Sequence, residues 1–404
     1  MTLTSSTLRI FLYTVTSLIF IQVLYHAVFV QLASRMTSKL LVNLTRDDVY
    51  IQIEKQSAFS VYHVSYNQWR DLDVLPDTVT LVSHCSAHNL HYIPRFTQTW
   101  GGPVSLAVIT TPLDLQITLD AMYSMASCFE SIRRYTTFHV ALQTENFVDL
   151  DSAIYHFSRD MNVPCDQLIN YLKVSITGIN YALDGLPYPN NFLRNLGSQG
   201  AETNFVMVVD IDMLTNIDFF NHTTELLKNR DVQEKLKKVA LVIPVFEMDE
   251  SISDSPKTKQ ELRNAVIDGS VRQFYIEVCA HCHGPIDYNR WFRIQDSVVG
   301  AVYQIDYRRL WEPILLMRNG DLLFDERFKQ YGFDRASFVC ELFLSGYKFS
   351  VFHPGFIVHQ GFKKKEKFHR EKDEENGRNF RLFKTILNEL NVKYKLSGRD
   401  CLAN

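Results

Sequence analysis

Hydrophobic positions along the chain gather into short β-branched runs separated by longer stretches of mixed polarity, the alternation expected of strands joined by helices. Val79–His84, Val104–Ile109 and Phe138–Leu142 read as three core strands, with a helix over Leu113–Arg133 between the second and third. The densest run, Phe205-Val206-Met207-Val208-Val209, is apolar without alternation and so predicts a strand buried on both faces of a covered sheet. Tyr188–Leu196 ahead of it reads as a helix entered through Pro189; behind it come a helix over Asp218–Lys238 and a second buried strand, Val239–Phe246. Residues 247–269 suit an exposed loop and helix. Arg335–Leu344 is helical, Phe349–Phe352 a strand, and the tail basic and then helical. Residues 33–77 have no strong period and fit a stem. Strands alternating with helices at this spacing predict an α/β fold built from βαβ units around a mostly parallel sheet.

The dense run ends in Asp210-Ile211-Asp212, where open α/β sheets place their ligands. Two readings stay open here. The carboxylates cap amides where a strand turns, or they hold a divalent cation against phosphate oxygens.

With 404 residues and 46% hydrophobic content the chain has ample core, and a formal charge of -3 gives no general attraction to polyanions. No nucleic-acid motif is present. Residues 10–32 carry no formal charge, follow Arg9 and precede Arg35 and Lys39, which predicts an uncleaved signal-anchor helix diluted by Thr14, Ser17, Gln22 and His26. That arrangement places a tail at 1–9 in the cytoplasm and residues 78–404 in a lumen. The sequons at Asn43 and Asn221 agree with it. Seven cysteines permit disulfides in an oxidising compartment and leave at least one unpaired. Cys279-Ala280-His281-Cys282-His283 resembles a zinc knuckle but lacks a second ligand pair, so a local Cys279–Cys282 disulfide is the preferred reading.

Three further residues suggest chemistry. His359 closes the run Phe356-Ile357-Val358 ahead of Gly361 and Lys363, so it is either a packed core imidazole or a ligand with an ammonium nearby. Asp334 either caps the following helix or serves as a carboxylate base. Glu341, on that helix, is either such a base or a group paired with Arg335 or Arg194.

Phe324-Asp325-Glu326-Arg327-Phe328-Lys329-Gln330-Tyr331-Gly332-Phe333, Cys340-Glu341-Leu342 and Gly355–Lys363 closely resemble the carboxy-terminal signature of glycosyltransferase family 49. Tyr188–Asn195 and Val208–Met213 resemble its earlier motifs, and the likeness runs from about Thr78 to the carboxyl terminus. The resemblance implies a GT-A fold, a type II Golgi membrane protein with a lumenal catalytic domain, a UDP-sugar donor and a manganese ion. It puts the metal on Asp210, Asp212 and His359, and Arg194 and Lys363 against the donor's phosphates or carboxylate. Residues 78–215 would form the nucleotide-sugar half and 216–404 the acceptor half. The implied reaction is inverting transfer of glucuronate from UDP-glucuronate to a terminal β-xylose-type sugar on a glycoprotein, with Glu341 or Asp334 as base. The family carries asparagine at the position of Asp334, so that choice departs from its pattern. UDP-N-acetylglucosamine with a galactose-ended acceptor is the alternative within the class; a catalytically silent partner of another transferase is the alternative outside it. A homodimer or a complex with another glycosyltransferase is the expected assembly.

Overall fold

The computed structural model describes residues 44–46, 49–56, 59–66, 76–143, 161–176, 187–367 and 370–402. Its strands are β1 (Leu44–Arg46), β2 (Val49–Gln56), β3 (Phe59–Ser65), β4 (Val79–Ser86), β5 (Val104–Thr110), β6 (Thr136–Gln143), β7 (Phe205–Val208) and β8 (Met213–Thr215). They continue with β9 (Val239–Ile243), β10 (Val245–Met248), β11 (Val271–Gln273), β12 (Gly300–Ile305), β13 (Ile314–Arg318), β14 (Lys348–His353) and β15 (Ile357–Gln360). An eleven-stranded sheet runs β1-β2-β3-β6-β5-β4-β7-β13-β9-β14-β12, and a four-stranded sheet runs β11-β10-β15-β8.

The α/β expectation is met, with β4 and β5 buried along their whole length. The sheet is mixed rather than mostly parallel. β4, β5, β6 and β7 pair parallel, but β13 lies antiparallel between β7 and β9, and β1 to β3 add an antiparallel edge on β6. These edge strands fall where the sequence pattern gave no element.

Three expected elements divide, each at an identifiable residue. The helix over Leu113–Arg133 breaks at Phe129, whose φ of -119° and ψ of 113° are extended. The helix over Asp218–Lys238 breaks at Asn229, whose side chain accepts from the amides of Asp231 and Val232 and so starts a new helix. The apolar strand Val239–Phe246 splits at Pro244 into β9 of the large sheet and β10 of the small one. Proline has no N–H for either ladder, so the crossing falls where none is needed.

The expected membrane-spanning helix over residues 10–32, and with it the single-pass Golgi membrane location, is corrected. Among the described residues no helix is long and apolar enough to cross a membrane. Lys372–Lys393 has the length, but it is charged along much of its course and cannot shed those groups into hydrocarbon. Residues 10–32 themselves, like residues 1–9 and the Asn43 sequon, lie outside the described residues. Asn221 is exposed on the Phe219–Leu227 helix.

The expected Cys279–Cys282 disulfide is present, joined by Cys128–Cys165 and Cys340–Cys401; Cys85 is the free, buried thiol. Cys279, His281 and Cys282 are close enough to suggest a metal cluster, but both sulfurs are consumed by the disulfide. Cys340–Cys401 spans 61 positions and ties the chain's end to the helix Asp334–Leu344, whereas Cys279–Cys282 spans 3. Removing the long crosslink with C340A/C401A is expected to cost about 2–5 kcal/mol, and removing the short one much less, because the entropy withheld from the unfolded chain grows with the loop closed. Thermal unfolding of both double variants checks this; equal losses would refute it.

Candidate active site

Asp210 and Asp212 lie in the short turn that carries the chain from β7 to β8, from one sheet to the other. The turn is pinned to β4: the Val209 amide donates to the Val82 carbonyl at 2.9 Å, and Ser83 Oγ donates to the Val209 carbonyl at 2.9 Å. β15 runs antiparallel to β8 with His359 opposite Met213, which turns the imidazole toward Asp212. His359 Nε2 is 2.8 Å from Asp212 Oδ2, and its Nδ1 is 2.7 Å from the Gly361 carbonyl. A carbonyl only accepts, so Nδ1 carries a proton and Nε2 is the atom offered to the carboxylate or to a cation between them. Burial pushes the Asp212 carboxyl up, but His359 and Lys363, the latter 3.8 Å away, together hold it below its usual range.

Lys363 is held by a buried strut. Glu247, fully buried on β10, accepts from Arg272 Nε at 2.6 Å and from the Lys363 amide at 3.2 Å. Arg272 in turn donates to the Lys363 carbonyl at 3.2 Å.

The opposite wall comes from the helix Asn190–Gln199, where every residue from Asn190 to Ser198 is buried. Its asparagines clamp a segment far along the chain. Asn191 Nδ2 donates to the Asp325 carbonyl at 2.8 Å, and Asn195 exchanges two hydrogen bonds of 2.8 Å with the backbone of Phe324. Asn190 Nδ2 donates to the Gln330 carbonyl at 3.0 Å and to Asp334 Oδ2 at 2.7 Å. Arg194, on the same helix, donates to Asn191 Oδ1 at 2.8 Å and forms a buried ion pair with Asp334. Its other terminal nitrogen is 3.8 Å from Asp210 Oδ1, while Arg335 closes on that oxygen at 2.6 Å. Burial raises the Asp210 carboxyl, and Arg335 and Arg194 more than offset this, holding it well below the carboxylate range. Asp334 is likewise raised by burial and held low by Arg194.

Asp210, Arg194, Asp334, Arg335 and Lys363 line an open cleft. Asp212 and His359 join it through Lys363. Glu341 is not brought there: its carboxylate faces the carboxy-terminal helix, 2.7 Å from Lys393 Nζ and 3.1 Å from the Tyr394 hydroxyl. Its partner is therefore neither Arg335 nor Arg194. The helix begins at Asp334 itself, whose carboxylate is taken up by Arg194 and Asn190.

Sequence reasoning passed over Glu312 and, in the field of the cleft's charges, His84. Glu312 lines the cleft, and the only signal for it was a charge set between Trp311 and Pro313 ahead of the apolar run Ile314–Met317. His84, at the carboxyl end of β4, faces the Tyr188 hydroxyl at 2.7 Å through Nδ1; burial, then Arg194, pushes it down to about 3, so it is neutral.

The β7–β8 turn offers two ionised carboxylates, and His359 an imidazole nitrogen whose opposite nitrogen is fixed by a carbonyl, donor types that a divalent cation accepts, although among the described residues only Cys279, His281 and Cys282 bring three such ligand atoms together. Carboxylates beside arginines and a lysine at a strand's carboxyl end stand where open α/β sheets bind their ligands. The chain is a glycosyltransferase. It belongs to the family described as glycosyl-transferase for dystroglycan, which it matches over residues 78–395. It is 34% identical to the mouse protein named beta-1,4-glucuronyltransferase 1 over 330 residues, 81% of this chain and 78% of that protein. It is 25% identical to the chicken xylosyl- and glucuronyltransferase LARGE2s over 284 residues, 70% of this chain and 32% of that one. Among solved structures, S. aureus TarS covers 80% of this chain and 40% of its own at 10% identity and a TM-score of 0.37.

Proposed function

We propose that this chain transfers glucuronate from UDP-glucuronate, with inversion, to a terminal β-xylose-type sugar during protein O-glycosylation. The observation that carries the reading is the Asp210–Asp212 turn with His359 at 2.8 Å, opening on a cleft lined by Arg194, Arg335 and Lys363. A glucuronyl donor brings a diphosphate and a sugar carboxylate, and once water is excluded each needs cationic partners. The names of the relatives favour the same donor.

Asp210, Asp212 and His359 would hold a manganese ion, which when bound neutralises the charge that develops on the departing diphosphate. Lys363, held in place by the Glu247 and Arg272 strut, faces the donor's anionic groups. Arg194 does the same from the opposite wall while keeping Asp334 ionised. Asp334 is thereby a poor proton acceptor, and its role is to position Arg194.

A panel of UDP-sugars with β-xyloside and galactose-ended acceptors, with manganese and with chelator, tests the reading. Transfer from UDP-glucuronate that stops on metal removal is expected. Transfer from UDP-N-acetylglucosamine alone would overturn the donor, and full activity in chelator would overturn the metal.

A further inference from the structure

We propose that Glu312 is the catalytic base that takes the proton of the acceptor hydroxyl, an inference that rests on the sugar-transfer reading above. Glu312 sits at a fixed point. Trp311 before it is fully buried and packs edge-on against Phe349, with ring centres 5.0 Å apart; Pro313 follows; and the Glu312 amide donates to the Cys282 carbonyl at 2.9 Å. β13, which begins two residues on, runs antiparallel to β7 with Arg318 opposite Phe205 and Leu316 opposite Met207. The chain entering β13 therefore comes up beside the Asp210–Asp212 turn, and Glu312 is delivered to the cleft that turn opens on.

Its carboxylate is also available. Asp210 is taken by Arg335, Asp212 by His359, Asp334 by Arg194 and Asn190, and Glu341 faces Lys393 outside the cleft. Among the described residues no hydrogen bond or ion pair closes on the half-buried Glu312 side chain. The charged and titratable groups in its field are Asp334 and Arg335 at the start of one helix, Arg194 from another and Asp210 from the turn. The Tyr275 and Tyr331 hydroxyls lie close by. Burial, then the Asp334 charge, raises Glu312 to about 7, with Arg335 and Arg194 opposing. Two of the cleft carboxylates are thus driven apart: Asp334 stays ionised, while Glu312 exchanges its proton near neutrality, where a general base works best.

The step balances without a further reactant. The acceptor oxygen attacks the anomeric carbon from the face opposite the nucleotide and a new C–O bond forms. The bond from that carbon to the β-phosphate oxygen breaks, its electron pair leaving with UDP. The hydroxyl proton passes to Glu312 and then to solvent.

E312Q keeps the shape and removes the basic oxygen. With the acceptor saturating, kcat is expected to fall about 10²- to 10⁴-fold, while the KM for the donor and the melting temperature stay near wild type. The acidic limb of the wild-type pH profile, with an apparent pKa of about 7, should vanish. E312D should lose less and keep that limb. E312Q within about tenfold of wild type and retaining the limb would overturn the assignment, since a base contributes more than that. So would a fall in donor affinity and stability that E312D shares, which marks a structural role. The wild type is run with both UDP-glucuronate and UDP-N-acetylglucosamine. Its preference judges the donor reading, and the ratio of variant to wild type on the donor it uses judges the base.

Discussion

Asp212→Asn is expected to cut sugar transfer by about a thousand-fold, the several kcal/mol that a bound metal lends a transition state. The fold should survive the change. His359 holds its Nδ1 proton on the Gly361 carbonyl, so Nε2 can accept from the new amide as readily as it now faces the carboxylate. What disappears is a charge at a position 28% exposed, next to Lys363 and His359. Initial rates at saturating donor, set beside a melting curve, separate the two outcomes. Activity within about tenfold of wild type, under 1.4 kcal/mol, would remove Asp212 from the proposed metal site. A collapsed melting curve would make it a structural residue instead.

Arg194→Met is expected to cost about 3–5 kcal/mol of stability, the loss typical when one member of a buried ion pair is removed and the other stays charged. The pair is well inside, with Arg194 6% and Asp334 11% exposed at the side chain. Asp210 would feel the loss as well, although Arg335 still covers it at 2.6 Å. The signature of this mechanism is recovery. In R194M/D334N no buried carboxylate is left unpaired, so the double variant should be more stable than R194M alone, with a coupling of about 0.5–3 kcal/mol. Denaturant unfolding of the wild type, both single variants and the double closes the cycle. Strict additivity would show that the two side chains act independently.

The strands at 79–86 and 104–110 were legible because uninterrupted β-branched runs leave few other conformations, and the Asp210–Asp212 turn was legible because two carboxylates cannot lie inside such a run. The rest depends on which element lies beside which. Val239–Phe246 reads as one strand since both halves are equally apolar; only the sheets on either side tell β9 from β10. Glu341 and Asp334 share a helix, and periodicity does not say that one faces Lys393 and the other Arg194, 140 positions earlier in the chain. Glu312 was hidden for the same reason, because a single charge before a strand gains meaning only when the β7–β8 turn is its neighbour.

Asn190, Asn191 and Asn195 join the Asn190–Gln199 helix to the segment from Phe324 to Asp334 by hydrogen bonds to named backbone carbonyls. The two stretches therefore behave as a single heritable part. Anyone grafting one from a relative in order to change sugar preference would have to transplant the other with it. A graft of either alone would strand buried amides against carbonyls that no longer meet them.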